Sequence, residues 1–233
     1  MALSLLYHGH SNVEIHAGAY RIQIDPFYTS NPLADIKADK VHPNYILISH
    51  AHFDHTEDAL SIAKRTAAVI ASNYEITTYF DKNGAPKTQG MNHGGSVQMP
   101  FGRITYTLAF HTSSFPDGTY GGQPGGWMIE FPANIAGTPK TIYFAGDTGL
   151  FGDMRLLGEL YNIDLACLPI GDQFTMGPAH AVKAAQFLRA KRVLPIHYNT
   201  WPPIQQDAPK FAAELKSVGI ECAPLKAGES VAV

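Results

Sequence analysis

Cysteine is nearly absent: two in 233 residues, Cys167 and Cys222. So small a supply gives no sign of a disulfide scaffold. Cys167 lies in the apolar run 165–170 and reads as a buried thiol. Charge is also scarce and balanced. Seventeen Lys and Arg face 20 Asp and Glu, for a formal net charge of −3 and an isoelectric point of about 6.4. No run of Lys or Arg occurs, so the charge pattern has no pull toward nucleic acid, and none is expected as a partner. Long apolar runs are missing too. No stretch approaches membrane-spanning length, and the chain opens on the strand-like Leu3-Ser4-Leu5-Leu6-Tyr7 without a basic leader. A cytoplasmic protein with no membrane partner is the expectation.

What is present is histidine in one place. His50-Ala51-His52-Phe53-Asp54-His55 sets three imidazoles and a carboxylate within six residues, directly after the apolar run 45–48. A short apolar run of this kind reads as a buried strand. The polar cluster then sits at a strand's end, where a turn can aim several side chains at one point. Burying so many ionisable groups costs free energy unless something pairs with them, and neutral imidazole with carboxylate is a ligand set for a divalent metal. Three further strand-like runs end in the same residue types. Residues 103–110 lead to His111, 141–145 to Gly146-Asp147, and 193–196 to His197. Together these are ligands enough for two ions.

In this ordered set (Asp25-Pro26, His50-x-His52-x-Asp54-His55, His111, Gly146-Asp147 and His197) the chain resembles the metallo-β-lactamase superfamily. The resemblance spans nearly the whole chain. It is closest to short, stand-alone metal-dependent hydrolases related to ascorbate-phosphate lactonases, through Gly9-His10-Ser11, the segments 24–27, 145–149, 168–171 and 174–178, and Ile196-His197-Tyr198-Asn199-Thr200. It implies an α+β fold, a four-layer αββα sandwich, read here as one domain over 1–233. It implies that His50, His52 and His111 hold one ion, that Asp54, His55 and His197 hold a second, and that Asp147 bridges them. The activity implied is hydrolysis of a small ester, lactone or phosphodiester by a hydroxide shared between two metals. The donor set contains no cysteine and suits zinc first, then manganese or iron.

Two other activities share this fold: a nuclease or phosphodiesterase acting on nucleic acid, and an iron-dependent redox protein. The absence of room for an extra domain and the acidic isoelectric point weigh against the first. His52 weighs against the second, because diiron relatives usually carry Glu there.

Other positions are assigned roles around this centre. His10, Asp54 and Tyr198 are candidates for catalytic contacts. Asp25 is expected to orient a ligand histidine. Asn199 could touch substrate, and Thr175, leading into a helix opened by Pro178, could help to hold an anion. His8, His16, His42, His93 and His180 are expected to be ordinary core or surface residues. The glycine-rich stretch 112–126 has the composition of a lid, and Tyr120 and Trp127 beside it could serve contact between copies of the chain. Predicted helices begin near Thr56, Asn73 and Pro178, and a last one stops at Gly219.

Overall fold

The computed structural model describes residues 3–233. Its strands are β1 (Ser4–Tyr7), β2 (Val13–Ala17), β3 (Tyr20–Ile24), β4 (Tyr45–Leu47), β5 (Val69–Asn73), β6 (Lys87–Met91), β7 (Ser96–Met99), β8 (Gly102–Leu108), β9 (Gly125–Phe131), β10 (Lys140–Phe144), β11 (Leu165–Pro169), β12 (Arg192–Ile196), β13 (Glu221–Cys222) and β14 (Ser230–Ala232). Its helices are α1 (Phe53–Thr56), α2 (Ala59–Thr66), α3 (Tyr74–Lys82), α4 (Ala133–Ala136), α5 (Met154–Leu160), α6 (Pro178–Phe187) and α7 (Ala208–Ser217).

The strands form two mixed seven-stranded sheets, ordered β14-β1-β2-β3-β4-β5-β6 and β13-β12-β11-β10-β9-β8-β7. Their inner faces enclose one core, in which Leu5, Ile15 and Ile22 of the first sheet join Ile104, Trp127, Phe144 and Leu194 of the second. The period-two alternation of strands sets the layers. In β11, Leu165 and Cys167 enter this inner core, while Ala166 and Leu168 face outward into the cluster under α5, α6 and α7. Ile46 and Ile70 face outward from the first sheet onto the cluster holding Ile62 of α2 and Ile76 and Phe80 of α3. This is the αββα sandwich.

Strand direction decides where function can sit. β3 and β4 run parallel, and so do β10, β11 and β12. β1 is antiparallel to β2, which is antiparallel to β3, so β1 points the same way as β3. β8 stands in the same relation to β10 through β9. The carboxyl ends of β1, β3, β4, β8, β10 and β12 therefore share an edge, the place where ligands gather in α/β sheets. Backbone hydrogen bonds join the two sheets at that edge: Gly125 N to Ser49 O (3.0 Å) and His197 N to His10 O (2.9 Å).

Several local expectations shift. Thr56 does not open a helix. It closes the single turn α1, and α2 starts at Ala59. Asp58 does not cap α2 with its side chain, because its carboxylate instead accepts from Tyr28 N (2.7 Å), Thr29 N (2.9 Å) and the Thr29 hydroxyl. Trp127 is wholly buried in the inner core and is unavailable for contact between copies. Tyr120 remains exposed.

Candidate metal centre

Every residue expected to bind metal arrives at the shared edge together with His10 and Asp25, each from the carboxyl end of a strand. His10 follows β1 and Asp25 follows β3. His50 to His55 follow β4, His111 follows β8, Asp147 follows β10 and His197 follows β12. The donor atoms fall into overlapping groups, each within 4.8 Å: His50, His52 and His111 in one, and His10, Asp54, His55 and His197 in another. Asp147 lies between them. Its Oδ2 is 2.9 Å from His197 Nε2, 3.4 Å from His55 Nε2, 3.7 Å from His111 Nε2 and 3.9 Å from His50 Nε2.

The backbone here is held in an unusual form. His10 (φ 60°), Asp25 (φ 48°) and His197 (φ 54°) all adopt left-handed conformations without being glycine, at a cost of order 1 kcal/mol each. Gly146 (φ 63°) precedes Asp147, and a Cβ there would press within 2.5 Å of Gly125 O and 3.0 Å of Ser49 Cβ. Strain concentrated in this way is what a site maintained against folding preference looks like.

Asp25 anchors two imidazoles. His55 Nδ1 donates to its Oδ2 at 2.7 Å. The Ser49 hydroxyl donates to the same oxygen at 2.5 Å and stands 3.0 Å from His50 Nδ1, from which it accepts. Ser49 N donates to Oδ1 at 2.7 Å. One buried carboxylate thus fixes the tautomers of His50 and His55 and turns each Nε2 toward the centre, that of His50 standing 3.0 Å from His52 Nδ1. His10 is wholly buried, and its Nε2 donates to Asp54 Oδ2 at 3.0 Å. Its Nδ1 then accepts from the Thr200 hydroxyl at 2.8 Å.

The protonation pattern suits a cation. Burial, with His55 next, pushes His50 and His52 down. Burial pushes His111 down as well. Each is thereby favoured in the neutral form that ligates metal. Burial and then His197 lower His10 to about 4. Burial would raise Asp147, but His197 and His55 outweigh it and hold the carboxyl well below its usual range. Burial would lower His197, yet Asp147 raises it to about 9. Buried His55 Nε2 and Asp147 Oδ1 lack any hydrogen-bond partner, and unpaired buried polar atoms of this kind are costly unless something binds them. The donor set fits divalent metal.

The centre floors a cavity of about 680 Å³. Its walls include Phe53, Phe115, Pro116, Phe174 and Trp201. Three sequence candidates do not reach it. The Tyr198 ring turns away from His197 into the cluster beneath the helices. Asn199 shapes its own turn, accepting from Gln206 N at 2.7 Å. The Thr175 hydroxyl bonds Met176 O at 3.3 Å, and the Asp172 carboxylate lies against Gly177 at the start of α6, where it would repel an anion. His8, His16 and His93 bond Asp35, Glu14 and Pro124 O, outside the centre. Sequence reading missed Ser49, Thr200 and Trp201. Ser49 and Thr200 stand one and three residues from ligands, but small hydroxyl residues carry no spacing signal.

The stretch 112–126 is largely wall rather than lid. Asn73 Nδ2 donates to Gly121 O (2.8 Å) and Gln123 O (3.1 Å), and a Cβ on Gly121 would collide with Ala51. Phe115 stacks on Tyr79 at 3.6 Å between ring centroids. Only Gly118 at the tip faces open space.

The chain belongs to the beta-lactamase superfamily domain family, which it matches over residues 20–198. It stands among the metal-dependent hydrolases of that fold. A UPF0173 metal-dependent hydrolase from Thermus thermophilus is 49% identical over 223 residues, covering 96% of both chains. Another from Exiguobacterium is 47% identical over 225 residues, 95% of this chain and 97% of that one. The structure of Igni18, a metallo hydrolase from Ignicoccus hospitalis, superposes with a TM-score of 0.90 at 35% identity, covering 100% of this chain and 99% of that one.

Proposed function

We propose that this protein hydrolyses a small ester or lactone with the help of two divalent ions. The observation that carries the reading is the convergence of six ligand-type side chains about Asp147 at the floor of an open cavity. His50, His52 and His111 would hold one ion. Asp54, His55 and His197 would hold the other, and Asp147 would serve both, having an oxygen for each. Zinc is the first choice for an imidazole-rich, oxygen-completed set. Bound ions would supply a water acidified to about neutral pKa and a Lewis acid for the acyl oxygen.

The chain's own residues do the rest. Asp25 and Ser49 hold the His50 and His55 rings in register. His10, fixed by Thr200, holds the Asp54 carboxylate by its Oδ2. The aromatic walls exclude water from one side of the substrate. A phosphodiester is supported less well, because among the described residues no lysine or arginine lines the cavity to receive its second free oxygen.

The test is metal content per chain together with turnover of generic ester and lactone substrates. Two equivalents of metal and hydrolysis that vanishes in Asp147→Ala are expected. Unchanged turnover in that variant would refute the mechanism.

A further inference from the structure

The cavity above the centre is lined with aromatic rings on both sides. On one side Trp201 packs with Phe53 (centroids 6.1 Å apart) and against His10 (4.9 Å), while Phe27 meets Phe53 edge-on at 5.7 Å. On the other, Phe115 is clamped against Tyr79 and Phe80, so that wall is rigid. Phe174 completes the rim. Phe53 and Phe174 are 46% and 52% exposed, large apolar surfaces left in water at the mouth of the site. Among the described residues, no lysine or arginine lines the cavity, and its only acids are the ligand candidates Asp54 and Asp147.

These walls select by charge. A substrate that presents its reacting oxygen to the ions would lay its remainder along the walls, where Phe53, Phe115, Phe174 and Trp201 outweigh the small polar side chains Thr112 and Ser114. Ring faces carry negative electrostatic potential. An anionic tail would lose its water there and gain no cation. An uncharged aromatic or alkyl tail would cover Phe53, Phe174 and Trp201 and release water from them.

We propose that the substrate's non-reacting part is uncharged and aromatic or apolar, and that compounds bearing a phosphate or carboxylate away from the scissile bond are rejected. This rests on the ester or lactone reading for its reacting end, but the walls can be tested without it. It also departs from what resemblance to lactonases of a phosphorylated sugar acid implies.

The experiment compares four probes on the zinc-loaded protein by titration calorimetry. Three share a chelating hydroxamate: acetohydroxamate, 2-naphthohydroxamate and 6-carboxy-2-naphthohydroxamate. The fourth, 2-naphthamide, is neutral and non-chelating. The naphthyl hydroxamate is expected to bind at least about tenfold more tightly than acetohydroxamate, a ratio worth one ring of apolar burial. The carboxylate is expected to remove most of that gain, and the ratio to collapse in Trp201→Ala and in Phe174→Ala. Phe174 is half exposed, so its variant guards against a folding defect at Trp201. Equal binding of the carboxylated and neutral naphthyl probes, or no tail preference at all, would overturn the proposal while leaving the metal reading intact. If no hydroxamate binds, the metal reading falls, and 2-naphthamide decides this one: binding lost in Phe174→Ala upholds it, and no binding refutes it.

Discussion

Asp25 stands apart at the scale of single residues, because one carboxylate oxygen serves two prospective ligands, His55 directly and His50 through Ser49. Removing it frees both rings to rotate and to change tautomer. Asp25→Ala is expected to weaken metal binding roughly 10–100-fold, measured by competition with a chromophoric chelator. Ser49→Ala should lose less, since His55 keeps its partner. The cluster of ligand candidates was legible in the sequence, for a physical reason. Metal chemistry admits few side chains, and all seven candidates are His or Asp at or just past the end of an apolar run. The side chains of Tyr198, Thr175 and Asn199 lie away from the cavity, because adjacency to a ligand candidate says nothing about which way the next side chain points. The left-handed backbone at His197 sends Tyr198 toward the helices instead.

Elements differ in how much of themselves they reveal. The inner strands announce themselves by β-branched and aromatic runs. The edge strands β6 and β7 do not, since KTQGM and SVQM are mostly polar and half exposed. Polar edges guard a sheet against pairing with strangers, and the same feature removes the pattern. α5 also escapes notice, being short, uncapped by a side chain and interrupted by Gly158. The stretch 112–126 shows the opposite error, for its glycines suggest freedom while most exist to permit close packing. Gly121→Ala would drive a methyl into Ala51 and the Ser113 hydroxyl beside the ligand turn, and should cost about 2 kcal/mol in thermal unfolding. Gly118→Ala, with open space but φ 83°, should cost about 1 kcal/mol.

The junction of β10 and β11 gives a pH signature. Asp164 accepts from Lys191 Nζ (2.8 Å) and Thr141 N (2.9 Å). Burial pushes its pKa up, but these partners outweigh burial and hold it below the usual range. A depressed folded pKa adds stability above the unfolded value of roughly 4, and that increment disappears as pH falls through the folded value. Asp164→Asn should therefore unfold at a lower temperature at pH 7, by a margin of order 0.5 kcal/mol given its exposure, and the gap should narrow as the pH falls below about 4.

For the whole molecule, the ligand candidates are divided between the sheets. The turn 50–55 and His10 hang from the first, while His111, Asp147 and His197 hang from the second. Ions bound here would stabilise the folded state by mass action, about 2.7 kcal/mol at a free concentration one hundred times the dissociation constant. Chelation should lower the melting temperature by roughly 5–10 °C, reversed by adding zinc back. A melting point indifferent to chelator would contradict the assignment.

Because the two halves of the sandwich are bridged at the edge where these loops meet, the ions would act as rivets on an otherwise hydrophobic seam. Starved of metal, the molecule should open first along that seam, exposing the loops after β4 and β8 to proteases. Its abundance in a cell would then follow metal supply, with intact fold and loaded centre surviving or perishing together.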